Sequence, residues 1–387
     1  MMNGLPAPDP GALAHSALVG ETIREHIRNA GGWISFSSFM ALALYAPGLG
    51  YYVAGTRKFG ADGDFVTAPE MSSLFGMALA TQIADVLAVT GGGILELGAG
   101  TGAMAAQVLE RLEKLDILPA TYSILEPSPE LRERQRETLL REAAGSVARV
   151  RWLDALPETW TGVIVGNEVL DALPVEMLMQ RGSERFRRGV ALDAEGNFGW
   201  ADQALTVADD PDYQSLDALF PGGDYQSEIG RDAERLTLTL GGLLRQGLLL
   251  WIDYGFPERE FYHPQRSTGT LMCHYRHRSH ADPFLLPGLQ DITAHVDFTA
   301  IARAASDAGL ELAGYTTQAN FLIDCGIAEL LQESGEPGSV AYLRASSAVQ
   351  RLLSPAEMGE LFKVIAFTRN FDQPLRGFAT GDRSSRL

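Results

Sequence analysis

Gly91-Gly92-Gly93-Ile94-Leu95-Glu96-Leu97-Gly98-Ala99-Gly100-Thr101-Gly102 is the stretch on which the reading of this chain turns. A short apolar run (Ile94, Leu95, Leu97) leads into glycines at 98, 100 and 102, and apolar residues at helical spacing follow from Met104 to Leu115. Strand, glycine turn and helix open a nucleotide-binding α/β unit. The glycines let backbone pass close to a ligand, and the helix start offers N–H groups to it. Gly98, Gly100 and Ala103 also satisfy the G-x-G-x-x-G/A spacing of dinucleotide sites, so the turn alone leaves the ligand open. Two details favour S-adenosylmethionine. Glu96 precedes the turn, where a carboxylate can receive an ammonium group, and the tight G-x-G-x-G leaves little room to cradle a pyrophosphate.

Working outward, four further apolar runs recur at α/β spacing, each with polar residues just past its end. Tyr122–Leu125 ends in Glu126-Pro127-Ser128, and Val150–Leu153 ends in Asp154. Residues 162–166 end in Asn167-Glu168, and 248–252 end in Asp253-Tyr254-Gly255. Continuous apolar runs are what strands buried on both faces look like, and polar residues at their C-terminal ends mark the ligand edge of an open parallel sheet. Upstream, helices are expected over 18–28, 36–44 and 72–87, with residues 1–12 frayed. We therefore divide the chain into an N-terminal helical cap with a cofactor-closing loop, 1–85, and a catalytic domain, 86–387. Two segments interrupt that domain: a β-rich insertion at 181–228, and a loop-like one at 257–293 carrying Cys273, His274, His277 and His280. A last strand is expected at 310–316, then an amphipathic helix through Met358, Leu361, Phe362 and Ile365.

The chain has 387 residues, 46% of them apolar, and a net charge of −18. That charge disfavours non-specific nucleic-acid binding and anionic membranes, and suits a cationic acceptor. Two cysteines cannot build a disulfide framework. No signal-peptide pattern and no window of membrane-spanning length is evident, so a cytoplasmic location without membrane insertion is expected. The Cys273/His274/His277/His280 group lacks a second ligand pair at zinc-finger spacing, and no metal is expected.

Four positions could carry the chemistry. Glu126, at the end of the second run, can accept from both hydroxyls of a ribose, as acidic residues do there in nucleotide sites. Asp154 stands where an adenine amino group would be received. Glu168 and Asp171, in Asn167-Glu168-Val169-Leu170-Asp171-Ala172-Leu173-Pro174, supply two carboxylates that could steer a guanidinium, or Asp171 could simply cap a helix. The polar loop Gly63-Asp64-Phe65-Val66-Thr67 could meet the cofactor's methionine end through Asp64 and Thr67.

With these stretches in view, the chain resembles the MidA-like S-adenosylmethionine-dependent methyltransferases. The resemblance is carried by residues 63–70 with Leu74-Phe75-Gly76, by 96–102, Glu126-Pro127-Ser128, 167–174 and Asp253-Tyr254-Gly255. His277, His280 and Asp291-Ile292-Thr293-Ala294-His295-Val296-Asp297-Phe298 extend it, as does Glu360-Leu361-Phe362-Lys363. It implies a Rossmann-like seven-strand methyltransferase sheet and S-adenosyl-L-methionine as cofactor. It also implies a protein arginine as acceptor, with a respiratory complex I subunit or other assembly client as the substrate protein. Carried onto this chain, the cofactor set is Asp64, Thr67, Glu96, Gly98, Gly100, Gly102, Glu126, Asp154 and Asn167. The catalytic set is Glu168, Asp171 and His295. Met1 to Ala14 holds no arginine, which fits a bacterial relative without a mitochondrial presequence. A small-molecule methyltransferase and a non-enzymatic assembly factor that binds the cofactor remain alternatives. Oligomeric state is open, a homodimer included.

Overall fold

The computed structural model describes residues 5–54, 66–206, 213 and 216–387. The chain packs into two compact units. One joins Met1–Phe65, Asp171–Ala233 and Phe256–Asp297; the other joins Val66–Leu170, Glu234–Gly255 and Phe298–Leu387. Residues 5–54 thus pack with the inserted segments. The helix Ser73–Thr90, grouped with the N-terminal cap in the sequence reading, packs with the sheet.

In the sheet unit the strands are β1 (Gly93–Leu97), β2 (Tyr122–Leu125), β3 (Val150–Leu153), β4 (Trp160–Asn167), β5 (Leu244–Phe256), β6 (Glu311–Thr317) and β7 (Phe362–Arg369). They lie in the order β6-β7-β5-β4-β1-β2-β3. The five runs read from the sequence are mutually parallel. The order reverses beside β1, and that crevice at the carboxyl ends is where open α/β sheets bind ligands.

β7 overturns the amphipathic helix expected through Ile365. Only Met358–Leu361 is helical; Phe362–Arg369 runs antiparallel to both β5 and β6. Phe362, Val364, Ile365, Ala366 and Phe367 are all buried. A run apolar on both faces fits a central strand as well as a buried helix turn, and its filling of the gap between β5 and β6 decides the matter.

Three helices flank the ligand edge: α1 (Ser73–Thr90), α2 (Ala103–Lys114) and α3 (Pro129–Glu142). α1 starts at Ser72, whose hydroxyl accepts from the Leu74 N–H, and stops at Gly91 in the left-handed conformation. With 18 residues and a mean hydropathy of 1.5 it is apolar enough to span a membrane by composition, contrary to the sequence reading; 61% of it is buried. Its apolar character is accounted for by the core, where Phe75, Leu79 and Ile83 pack with Leu109, Val163 and Leu250. Gly76 permits the approach to α2: a Cβ there would lie 2.5 Å from Gln107 Oε1. The Gln107 amide accepts from the Gly76 N–H at 3.1 Å and donates to the Pro69 carbonyl at 2.7 Å, which ties down the segment following Thr67.

The other unit has its own core, built from Val19, Ile23, Phe36, Phe39, Met177, Val190, Cys273 and Ile292. Its first helix begins at Pro10, capped by Asp9, inside the stretch 1–12 expected to be frayed. The insertion is β-rich: Glu176–Arg181, Glu184–Leu192, Phe198–Ala204 and Tyr225–Ile229 form an antiparallel sheet. Trp33–Ser35 joins its edge by pairing with Glu184–Leu192. The loop-like 257–293 segment also contains a small sheet, in which Met272–Tyr275 lies between Arg278–His280 and Asp291–Thr293. Arg276 and His277 form its two-residue hairpin turn, both at positive φ (47° and 59°). That geometry usually calls for Asn-Gly, and no turn signal marked it in the sequence.

Candidate functional site

The glycine turn is built as its residues require. Gly98, Gly100 and Gly102 have φ of 64°, 51° and 83°, a region L side chains seldom adopt. A Cβ on Gly98 would meet Val169 Cγ2 at 3.1 Å, and one on Gly102 would sit 3.0 Å from Gln135 Cα. Gly102 is also the N-cap of α2, and among the described residues no side chain caps that helix start. Beneath the turn Glu96 is buried, and the Tyr122 hydroxyl donates to its Oε2 at 2.7 Å. Burial pushes the Glu96 carboxyl up to about 7; the Tyr122 hydrogen bond opposes this and the Glu126 charge adds to it. A carboxyl so placed gains from a cationic partner.

Glu126 is buried at the end of β2. Its Oε1 accepts from the Ser128 N–H at 2.9 Å and its Oε2 from Gln135 Nε2 at 3.1 Å. Asp154 is far more open, its side chain 90% exposed and paired with Arg132 at 2.8 Å. The Arg132 guanidinium also donates to the Glu126 and Leu153 carbonyls, at 2.6 and 2.8 Å, which joins the ends of β2 and β3. Neither Gln135 nor Arg132 stood out in the sequence. Gln135 falls on the buried stripe of α3 with Leu131, Thr138 and Leu139; a polar residue in such a stripe is the signal that could have found it.

At the end of β4, Glu168 has φ 53°, a left-handed conformation unusual for a residue with a side chain. Its N–H donates to the Ile252 carbonyl at 2.9 Å, and its Oε1 accepts from Asn167 Nδ2 at 3.1 Å. Asn167 Oδ1 is buried and has no hydrogen-bond partner among the described residues. Asp253, at the end of β5, holds the next two residues: its Oδ2 accepts from the Val169 and Leu170 N–H groups at 3.1 and 2.9 Å. Its Oδ1 accepts from the Tyr254 N–H at 2.9 Å. Asp253 stood among the resembling stretches without a role. Its role here is to fix the backbone that presents Glu168.

The sheet unit therefore brings together Glu96, Gly98, Gly100, Gly102, Glu126, Asp154, Asn167 and Glu168 at one sheet edge. Thr67 belongs to the same unit, at the start of the short helix Ala68–Met71. Asp64 lies outside the described residues. Asp171 and His295 belong to the other unit. Asp171 is buried in a turn rather than at a helix start, which removes the helix-cap alternative, and its carbonyl accepts from the Ala294 N–H at 3.0 Å. Nearby Tyr52 donates to Asp291 Oδ1 at 2.7 Å and stacks on Tyr45 at 5.4 Å between centroids. Burial raises the Tyr52 hydroxyl, and the charges of Asp291, Tyr45 and Asp171 raise it further. The His295 ring lies against Phe256, 5.2 Å between centroids, and its backbone N–H donates to Thr270 Oγ1 at 3.0 Å. Cys273 is buried in the same unit, its thiol pushed up by burial.

Residues 78–316 match the profile of the S-adenosyl-L-methionine-dependent methyltransferase family. A Burkholderia thailandensis protein, crystallised with bound S-adenosyl-homocysteine, is 49% identical, with a TM-score of 0.96 over 99% of this chain and 100% of that one. The zebrafish (Danio rerio) protein arginine methyltransferase NDUFAF7, mitochondrial, is 28% identical over 90% of this chain and 87% of its own length. The human (Homo sapiens) protein of the same name is 27% identical over 87% and 80%.

The residues present fit the cofactor that this family uses. The turn is open where side chains would intrude, a buried carboxyl at Glu96 suits an ammonium group, and Glu126 is oriented by two donors. S-adenosylmethionine, when bound, supplies a methyl group on a sulfonium sulfur, and the residues that would hold it are the glycine turn, Glu96 and Glu126. Family profile, whole-chain structural likeness and site chemistry lead to one conclusion: this chain belongs to the S-adenosyl-L-methionine-dependent methyltransferase family and is an enzyme of that class.

Proposed function

We propose that the acceptor is an arginine side chain of a protein. The observation that carries this reading is Glu168, held in a left-handed conformation at the ligand edge by Ile252, Asn167 and the Asp253-anchored turn. A guanidinium is a planar fork of N–H donors that a fixed carboxylate orients well, and transfer to it is an in-line displacement that depends on such positioning. In this reading Glu168 aligns the guanidinium. One nitrogen takes the methyl carbon as the sulfur–carbon bond breaks, and the proton it sheds passes to a carboxylate or to water. Support comes also from the relatives named protein arginine methyltransferase across nearly the whole chain, and from the net charge of −18.

The test is incubation of the protein with methyl-labelled cofactor and lysate of cells lacking it, followed by mass spectrometry. Methylarginine in a protein, absent with Glu168→Gln, is the expected result. Label found only in small molecules would overturn the reading.

A further inference from the structure

We infer that Gln135 is a positioning residue for the cofactor: its one amide sets both the glycine turn and the carboxylate that faces the ribose. Gln135 is fully buried on α3. Its Nε2 donates to the Gly100 carbonyl at 3.0 Å and to Glu126 Oε2 at 3.1 Å, and its Oε1 accepts from Trp152 Nε1 at 2.8 Å. The orientation of the amide is unambiguous. A carbonyl and a carboxylate only accept and an indole N–H only donates, so a flipped amide would lose all three bonds.

The three partners come from three neighbouring strands or their ends: Gly100 after β1, Glu126 after β2 and Trp152 within β3. Arg136 also lies over the Trp152 ring, its guanidinium carbon 4.9 Å from the centroid. Gln135 also explains Gly102, since its Cα occupies the space beside that residue where a Cβ would intrude. Glu126 consequently has one oxygen oriented by the Ser128 N–H and the other by Gln135. A carboxylate fixed at both oxygens can meet two neighbouring hydroxyls without first being ordered, and pre-organisation of this kind raises affinity.

The inference rests on Glu126 receiving the ribose hydroxyls, so the experiment separates the two. Affinities are measured by calorimetry for S-adenosylhomocysteine and for its analogue lacking both ribose hydroxyls. Wild-type protein should prefer the former on the order of 10²-fold, as hydrogen bonds to a charged group allow. Glu126→Ala should bring the ratio close to 1. Gln135→Met, which keeps the shape and removes the amide, should lower it roughly tenfold. Trp152→Phe, which loosens the amide from one end only, should lower it about threefold. A merely structural role for Gln135 would weaken both ligands equally and leave the ratio unchanged, and that result overturns the inference. If Glu126→Ala keeps the wild-type ratio, it is the ribose role of Glu126 that fails. Should Gln135→Met not fold, as judged by circular dichroism, the Trp152→Phe ratio decides alone, an unchanged value overturning the inference.

Discussion

Two carboxylates at the ligand edge do different work because their surroundings differ. Glu96 is buried with a neutral donor and carries a carboxyl raised to about 7 from 4.5. Between those values the folded chain holds a proton that the unfolded chain has lost, so this group's contribution to stability falls as pH rises from about 4.5 to 7. An ammonium group favours the ionised form, so cofactor binding below pH 7 should release a proton. Affinity for S-adenosylmethionine is therefore expected to rise several-fold between about pH 5.5 and 7. Calorimetry in buffers of different ionisation heat measures both quantities, and Glu96→Gln should remove the proton release. Glu168, by contrast, is set by backbone geometry. Glu168→Gln should leave S-adenosylhomocysteine affinity within about twofold while lowering turnover roughly 10²-fold, the loss of an interaction used in the transition state. Near-normal turnover would remove the guanidinium-steering role.

The elements around the site are joined by a few buried polar side chains rather than by strand pairing alone. Asp253 at the end of β5 holds the turn after β4 through two backbone N–H groups. Asp253→Ala should leave those donors unsatisfied, costing about 2–4 kcal/mol in denaturant unfolding and speeding amide exchange at residues 168–170. Turnover should fall more than cofactor affinity, since the glycine turn remains. At the start of α2, Gly102→Ala adds a Cβ 3.0 Å from Gln135 Cα at a φ of 83°. Left-handed strain of about 1–2 kcal/mol is expected, together with displacement of α3. Cofactor affinity should drop about tenfold, as 1.4 kcal/mol per decade implies; wild-type affinity in calorimetry would show that α3 gives way without disturbing the turn.

Over the whole molecule, the sheet unit is not complete until the last strand is made. β7 lies between β5 and β6 and pairs with both, so residues 362–369 close a sheet whose first strand begins at Gly93. A chain ending at Leu361 should fail to unfold cooperatively in denaturant and should not bind S-adenosylhomocysteine. The chain also passes between its units several times, at Leu170 and Asp171 among other places, so neither unit is a continuous segment. Glu168 and Asp171, neighbours in a sequence motif, fall on opposite sides of one such passage.

What the sequence determined by itself was local and periodic. The glycine turn, the five parallel runs and the acidic residues at their ends were legible because strand, turn and ligand edge are written within a few residues of one another. Ile365 shows the limit: apolar residues at 358, 361, 362 and 365 satisfy a helical period, and only the vacant place between β5 and β6 makes the run from Phe362 onward a strand. The pairing of Trp33–Ser35 with residues 189–191 was likewise beyond reach, because register between distant segments leaves no trace in either. Gln135 and Asp253 belong to this second class. A buried amide or carboxylate reads as an ordinary polar residue until the fold brings Gly100, Glu126 and Trp152, or Val169 and Leu170, within hydrogen-bonding distance of it. Burial then makes those bonds obligatory, since an unmet polar group inside the protein costs more than a met one gains.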